Sequence, residues 1–228
     1  MKRCHGRFAA HDIASKDMLP PYLVYLVVLR IYAKHEKSQD QFGEKIFKRG
    51  FLMGKRSEFE RNPRDFYPTP RPAVLPLLPH LKPQTKFSEP CAGDGRLARH
   101  LSTFGHVPVW LSDLEPQAPT IIQMDVFSLS RKHGADVFIT NPPWERRILH
   151  PLIQHLSNMA PTWLLFDADW AHTKQAIPLL TRLKKIVSIG RVKWIDGSKH
   201  TGKDNACWYL FDKTAEKIEF VGRTTGTN

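Results

Sequence analysis

Asn141-Pro142-Pro143-Trp144, directly after the apolar run Val137-Phe138-Ile139-Thr140, constrains the fold of this chain more than any other feature. Paired prolines cannot donate to a sheet ladder or continue a helix interior, so the run must end as a buried strand and the tetrapeptide must leave it as a stiff loop. Such a loop presents a carboxamide, a bare carbonyl and a large aromatic face together. Asn141 can offer its side-chain oxygen, and Pro142 its carbonyl, to the two hydrogens of an amino group, while Trp144 can stack on the ring that carries it. The same residues also fit an ordinary turn with an aromatic packed against it. The rest of the chain has to decide.

About fifty residues upstream lies Lys86-Phe87-Ser88-Glu89-Pro90-Cys91-Ala92-Gly93-Asp94-Gly95, followed by Arg96-Leu97-Ala98-Arg99-His100-Leu101. This reads as a short strand, a small-residue turn and the start of an amphipathic helix. Gly93 and Gly95 permit positive φ and a close approach of backbone to ligand. The dinucleotide fingerprint is absent, since only two glycines are present and Glu89 closes the strand. A carboxylate at that place repels a pyrophosphate and attracts a cation such as an α-ammonium group. A plain strand-turn-helix connection is the alternative.

A third segment, Phe66-Tyr67-Pro68-Thr69-Pro70, precedes the first strand. Alone it is a proline-stiffened loop. In this order, the three segments resemble the S-adenosylmethionine-dependent amino-methyltransferases that act on adenine in DNA, in the small type without a separate recognition domain. The resemblance runs from about Met53 to Asp212. It implies a Rossmann-like class I methyltransferase domain over 53–228, an α/β fold with a mostly parallel seven-stranded sheet, an antiparallel C-terminal hairpin and helices on both faces. It also implies that Phe66, Tyr67, Thr69 and Pro70, with Glu89, Pro90, Cys91, Ala92, Gly93, Asp94 and Gly95, hold the cofactor, and that Asn141, Pro142, Pro143 and Trp144 are catalytic. No separate target-recognition domain fits after Trp144, which leaves sequence specificity open.

From Lys86 onward strands and helices alternate, as in βαβ units. Strands are expected at Lys86–Ser88, Val107–Leu111, Ile121–Phe127, Val137–Thr140, Trp163–Asp167, Ile186–Trp194 and Ala206–Phe211, with helices over about Arg96–Phe104, Arg147–Asn158 and Lys174–Leu183. The second strand ends at Ser112-Asp113-Leu114-Glu115, about twenty residues past the glycine turn, where an α/β nucleotide site places its ribose-hydroxyl acceptor. Asp113 is the first choice and Glu115 the second, with a carboxylate capping the next turn as the alternative. Leu114 lies beside that acceptor. Asp125, with Val126 next to it, resembles the family's acidic residue at the adenine edge of the cofactor.

The net charge of +12 favours a polyanionic partner, because cations that neutralise phosphates release counterions on binding. Residues 1–65 hold fourteen Lys/Arg against eight Asp/Glu, half of the net excess. Residues 1–52 read as a basic N-terminal extension outside the family resemblance, which begins near Met53-Gly54-Lys55-Arg56-Ser57. The apolar stretch Tyr22–Ile31 is about ten residues long, too short for the ~20 that span a bilayer. Ile195–Asn205, between the last two expected strands, is polar, glycine-bearing and net positive; Lys199, His200 and Lys203 are its candidate DNA contacts, and a bland surface loop is the alternative. Cys4, Cys91 and Cys207 show no paired spacing and no zinc pattern, so no metal site is expected and a reducing cytoplasm fits.

The expectation is therefore a cytoplasmic, monomeric or weakly dimeric enzyme that methylates adenine N6 in DNA. Cytosine N4 offers similar chemistry, but that branch typically carries Ser or Thr where this chain has Asn141. Methylation of an RNA guanine or a protein glutamine also employs Asn-Pro-Pro-aromatic loops, and Phe66–Pro70 argues against both. A non-catalytic nucleic-acid-binding module on the same fold is the reading from a different class.

Overall fold

The computed structural model of this chain describes residues 67–195, 197 and 201–223. The expected extension 1–52, the stretch Tyr22–Ile31, the segment Met53–Ser57, Phe66, Lys199 and His200 lie outside the described residues.

Among the described residues, eight strands form one sheet: β1 (Lys86–Glu89), β2 (Val107–Asp113), β3 (Ile122–Gln123), β4 (Val137–Thr140), β5 (Thr162–Asp167), β6 (Leu183–Arg191), β7 (Asn205–Phe211) and β8 (Glu219–Val221). Their spatial order is β3-β2-β1-β4-β5-β7-β6-β8. Strand β7 runs antiparallel to both β5 and β6, and every other pairing is parallel. The fold is Rossmann-like, with the chain reversing direction between β1–β2–β3 on one side and β4 on the other. At such a reversal the strand-end loops diverge and leave a crevice at the carboxyl edge.

Alternation along the central strands builds two cores. Phe138, Leu164 and Phe166 point to one face and pack with Leu149, Leu152, Ile153 and Leu156 of the helix Arg146–Met159. Val137, Ile139, Trp163 and Leu165 point to the other and pack with Leu97 and Leu101 of the helix Arg96–Thr103 and with Val74 and Leu77. All four residues of β4 are buried, as expected of a parallel strand covered on both sides. In chain order the helices are α1 (Arg71–Val74), α2 (Arg96–Thr103), α3 (Arg146–Met159) and α4 (Ile177–Leu180). Helix α3 carries Pro151 at its sixth position, inside the helix, where the ring removes the bond that an N–H would make to the Arg147 carbonyl.

The structure departs from the sequence-based expectation chiefly in four places, one of them β6, which runs Leu183–Arg191 where Ile186–Trp194 was expected. The sheet has eight strands rather than seven, because Glu219–Val221 joins the edge in parallel with β6. The third strand shrinks to Ile122–Gln123: Asp125 accepts a hydrogen bond from the Phe127 N–H at 2.9 Å and starts a 3-10 turn over Val126–Ser128. The helix expected over Lys174–Leu183 is a 3-10 turn at Lys174–Ala176 followed by the four-residue α4, with Leu183 already in β6. Pro178 sets the start of α4 and removes a donor from any longer helix.

One buried bond fastens the segment before β1 to the sheet. Trp208 on β7 is fully buried, and its indole N–H donates to the Ala73 carbonyl at 2.8 Å across 135 residues. Replacing it with Phe keeps an aromatic ring but leaves that carbonyl without its partner. We expect Trp208→Phe to lose about 1–3 kcal/mol of stability, measured as a lower urea midpoint with an unchanged slope.

Candidate active site

The carboxyl edge of β1 sets the first wall. Past Glu89 the chain turns through Gly93 (φ 54°) and Gly95 (φ 76°), conformations that side-chain-bearing residues rarely adopt. Three backbone bonds hold the turn: Ala92 N–H to Ser112 O (2.9 Å), Gly95 N–H to Ala92 O (2.7 Å) and Gln117 N–H to Gly93 O (2.8 Å). The carboxylate of Asp113, at the end of β2, accepts from Gly93 N–H at 2.8 Å through Oδ2 and from Glu115 N–H at 2.8 Å through Oδ1. An ionised carboxylate has about four acceptor sites, so both oxygens keep capacity for hydroxyl donors. Asp113 thus caps the following turn and shapes the glycine turn at once. Asp94 is committed locally: its Oδ1 accepts from Arg96 N–H, and its Oδ2 pairs with Arg96 at 3.3 Å and Arg99 at 3.6 Å.

The second wall comes from β4. Thr140, fully buried, donates its hydroxyl to the Cys91 carbonyl at 3.4 Å, a long contact that joins the two strand ends. Asn141 then donates its Nδ2 to the Tyr67 carbonyl at 3.1 Å, and its Oδ1 accepts from the Trp144 indole N–H at 3.3 Å. The carboxamide is therefore fixed at both ends, and Oδ1 retains one acceptor site. Pro142 is buried and Pro143 half-buried, which holds the loop stiff. Thr69 and Pro70 sit on the same segment as Tyr67, with Thr69 buried.

Sequence reasoning missed Trp194. It follows β6, and its ring meets that of Trp144 edge to face, with centroids 5.7 Å apart and planes at 83°. Gly202 N–H donates to Val192 O at 2.8 Å and closes the neck of the intervening loop. The only signal in the sequence was an aromatic residue closing the expected strand Ile186–Trp194 and preceding a basic loop; the strand in fact ends at Arg191. Lys203 in that loop is exposed.

Glu89 carries the electrostatic signature of the site. It is 2 % exposed, and its Oε2 has no hydrogen-bond partner among the described residues. Burial, reinforced by the nearby Asp94 and Asp113 charges, raises its carboxyl well above the usual range, against a bond from the Ala98 backbone and the pull of Arg99. An orphaned acceptor beside a positive-φ turn calls for a donor, and an ammonium group supplies one. Burial, first of all, also pushes the Cys91 thiol far above its ordinary value, with Asp113 adding to the effect, so Cys91 stays protonated and is no nucleophile. Asp125 is exposed and Leu114 is 53 % exposed, whereas Val126 is buried. Among the described residues no group of three His, Cys, Asp or Glu is placed to hold a metal, and no helix is long and apolar enough to cross a membrane.

No protein-family model and no curated protein matches the chain. Solved structures do. A Pyrococcus horikoshii protein provisionally described as an RNA methyltransferase aligns with a TM-score of 0.51 and 14% identity over 70% of this chain and 93% of its own. The type IIG restriction endonuclease BpuSI aligns with a TM-score of 0.49 and 17% identity over 75% of this chain and 28% of its own. The M protein of the type I restriction enzyme EcoKI aligns with a TM-score of 0.45 and 11% identity over 69% of this chain and 49% of its own. The chain thus spans under a third of one restriction protein and about half of the other. The first of these likenesses shows the fold, the Rossmann-like sheet of methyltransferases.

A raised carboxyl in the folded state means that the native protein holds a proton which the unfolded chain releases above its ordinary pKa of about 4.3. Glu89 therefore costs stability as pH rises through and beyond that value. We expect Glu89→Gln without ligand to match the wild type near the acid end and to be increasingly more stable toward pH 8, read from urea midpoints across the series.

Proposed function

We propose that this protein transfers a methyl group from S-adenosylmethionine to the exocyclic N6 of adenine in DNA. The observation that carries the reading is the Asn141 carboxamide, held between the Tyr67 carbonyl and the Trp144 N–H on a loop bonded to the glycine turn.

The residues fit the cofactor. Glu89, with its orphaned buried oxygen, suits the α-ammonium; the positive-φ turn at Gly93 and Gly95 admits the methionine part; Asp113 keeps acceptor capacity for ribose hydroxyls; and Asp125, Leu114 and Val126 suit the adenine. Bound there, the cofactor supplies a methyl group already activated by its sulfonium, so the protein needs no covalent nucleophile. What the protein must do is orient the acceptor and keep water out.

An exocyclic aromatic amine is a weak nucleophile because its lone pair is delocalised into the ring. Asn141 Oδ1 and the Pro142 carbonyl, as acceptors for the two amino hydrogens, favour a pyramidal nitrogen and stabilise positive charge developing on it. In a duplex the base must leave the stack to reach them. Trp144 then replaces lost stacking, worth ~1–3 kcal/mol per base. Asn at position 141, rather than Ser or Thr, supports adenine over cytosine. The carboxamide held at both ends, with an acceptor site still open on Oδ1, and the intact positive-φ glycine turn support an active enzyme over a module that has lost its pocket.

Asn141→Ala is expected to abolish transfer to a DNA oligonucleotide while cofactor affinity, read by isothermal titration, falls much less; near-normal turnover would remove Asn141 from the chemistry. The reading also confines catalysis to 53–228. A chain beginning at Met53 is expected to bind S-adenosylmethionine as the full chain does, and a folded truncation that has lost binding would place part of the site upstream.

A further inference from the structure

The two ends of β6 differ in how their charges are matched. At the amino end Lys184 lies 3.8 Å from the Asp212 carboxylate and Lys185 lies 3.1 Å from that of Glu219. At the carboxyl end Arg191 and Lys193 are exposed and form no ion pair with any described residue. Strand β8 runs parallel to β6, so the chain leaving Val221 brings Arg223 to that same edge. Arg223 is exposed and likewise has no carboxylate partner among the described residues.

The backbone is shaped to receive that arginine. The register of β6 against β7 shifts between Ser188 and Gly190, and Gly190 sits at φ 77°. A Cβ on Gly190 would stand 3.1 Å from the Arg223 guanidinium nitrogen, so the side chain lies across the bare glycine. Bulges of this kind re-aim side chains at functional edges. Trp194, in turn, joins this edge to the Trp144 ring at 5.7 Å. Among the described residues, 191–205 together with 222 and 223 carry four cationic side chains and one anionic, Asp204.

We propose that Arg191, Lys193 and Arg223 form a track for the phosphodiester backbone of the polynucleotide whose base is held at Asn141. The track rests on the methyltransferase reading above and adds where the strand runs. Strands lie about 4.8 Å apart, so β8 stands roughly 19 Å from β4. With β6, which carries Arg191, roughly 14 Å from β4 and about 3.4 Å of rise per nucleotide, the track meets phosphates some four to six positions from the target base. Contacts of this kind add grip without reading sequence.

The test is anisotropy of labelled duplex DNA, single-stranded DNA and RNA oligonucleotides across a potassium chloride series. The triple variant Arg191→Ala/Lys193→Ala/Arg223→Ala should flatten the slope of log affinity against log salt by about two to three units, with cofactor affinity unchanged. Lys82→Ala/Lys213→Ala/Lys217→Ala removes the same charge at the opposite edge and should leave the slope near wild type. Because Arg223 packs on Gly190, the double variant Arg191→Ala/Lys193→Ala serves if the triple fails to fold, with a fall of about one to two units. Equal losses in both triples, or an unchanged slope in the edge variants, would overturn the track and leave the methyltransferase reading intact. A wild type that binds no oligonucleotide would overturn both. An edge effect on RNA alone would keep the track and move the substrate to RNA.

Discussion

Asn141 donates one amide hydrogen bond to the backbone of Tyr67, and the organisation of the site depends on it. The bond joins a loop at the carboxyl end of β4 to a segment 74 residues earlier, and it does so with the group assigned to the substrate amine. A free carboxamide can rotate and present nitrogen or oxygen. Here Tyr67 takes the nitrogen, Trp144 marks the oxygen, and only one orientation satisfies both. Precision of this sort comes from the sheet beneath: β4 is buried on both faces, and Thr140 ties its end to the turn after β1.

The same edge concentrates electrostatic tension. Glu89 is buried with an unpartnered oxygen, Asp94 and Asp113 lie near enough to disfavour its charge, and two glycines hold conformations other residues avoid. The buried Glu89 lowers the stability of the ligand-free fold, the glycines let the backbone approach a ligand closely, and together they suit a ligand that is cationic at one end and rich in hydroxyls at the other. Unsatisfied polarity gathers where function is expected and is offset by two well-packed cores elsewhere.

Elements governed by local chemistry were legible in the sequence. The burial of Val137–Thr140, its abrupt end at two prolines and the amphipathic spacing of α3 all follow from residues within a few positions of one another; α3 was expected over Arg147–Asn158 and runs Arg146–Met159. What escaped depends on distant partners or on competing local bonds. Asp125 ends β3 by accepting from the backbone two residues on. The edge strand β8 is three largely exposed residues with no alternation to betray them, and only its pairing with β6 makes it a strand. Trp194 looked like the last residue of a strand until the fold brought it, three residues past β6, against Trp144. Glu89 could be placed at a strand end from sequence, but its orphaned oxygen is a property of packing.

The central claim is that the amine held at Asn141 belongs to adenine. Incubating the protein with methyl-labelled S-adenosylmethionine and DNA, then digesting the DNA to nucleosides and resolving them by mass spectrometry, tests it directly. The account predicts label in N6-methyldeoxyadenosine and in no other nucleoside. Label in N4-methyldeoxycytidine, or unlabelled DNA from a protein that demonstrably binds both cofactor and DNA, would contradict it.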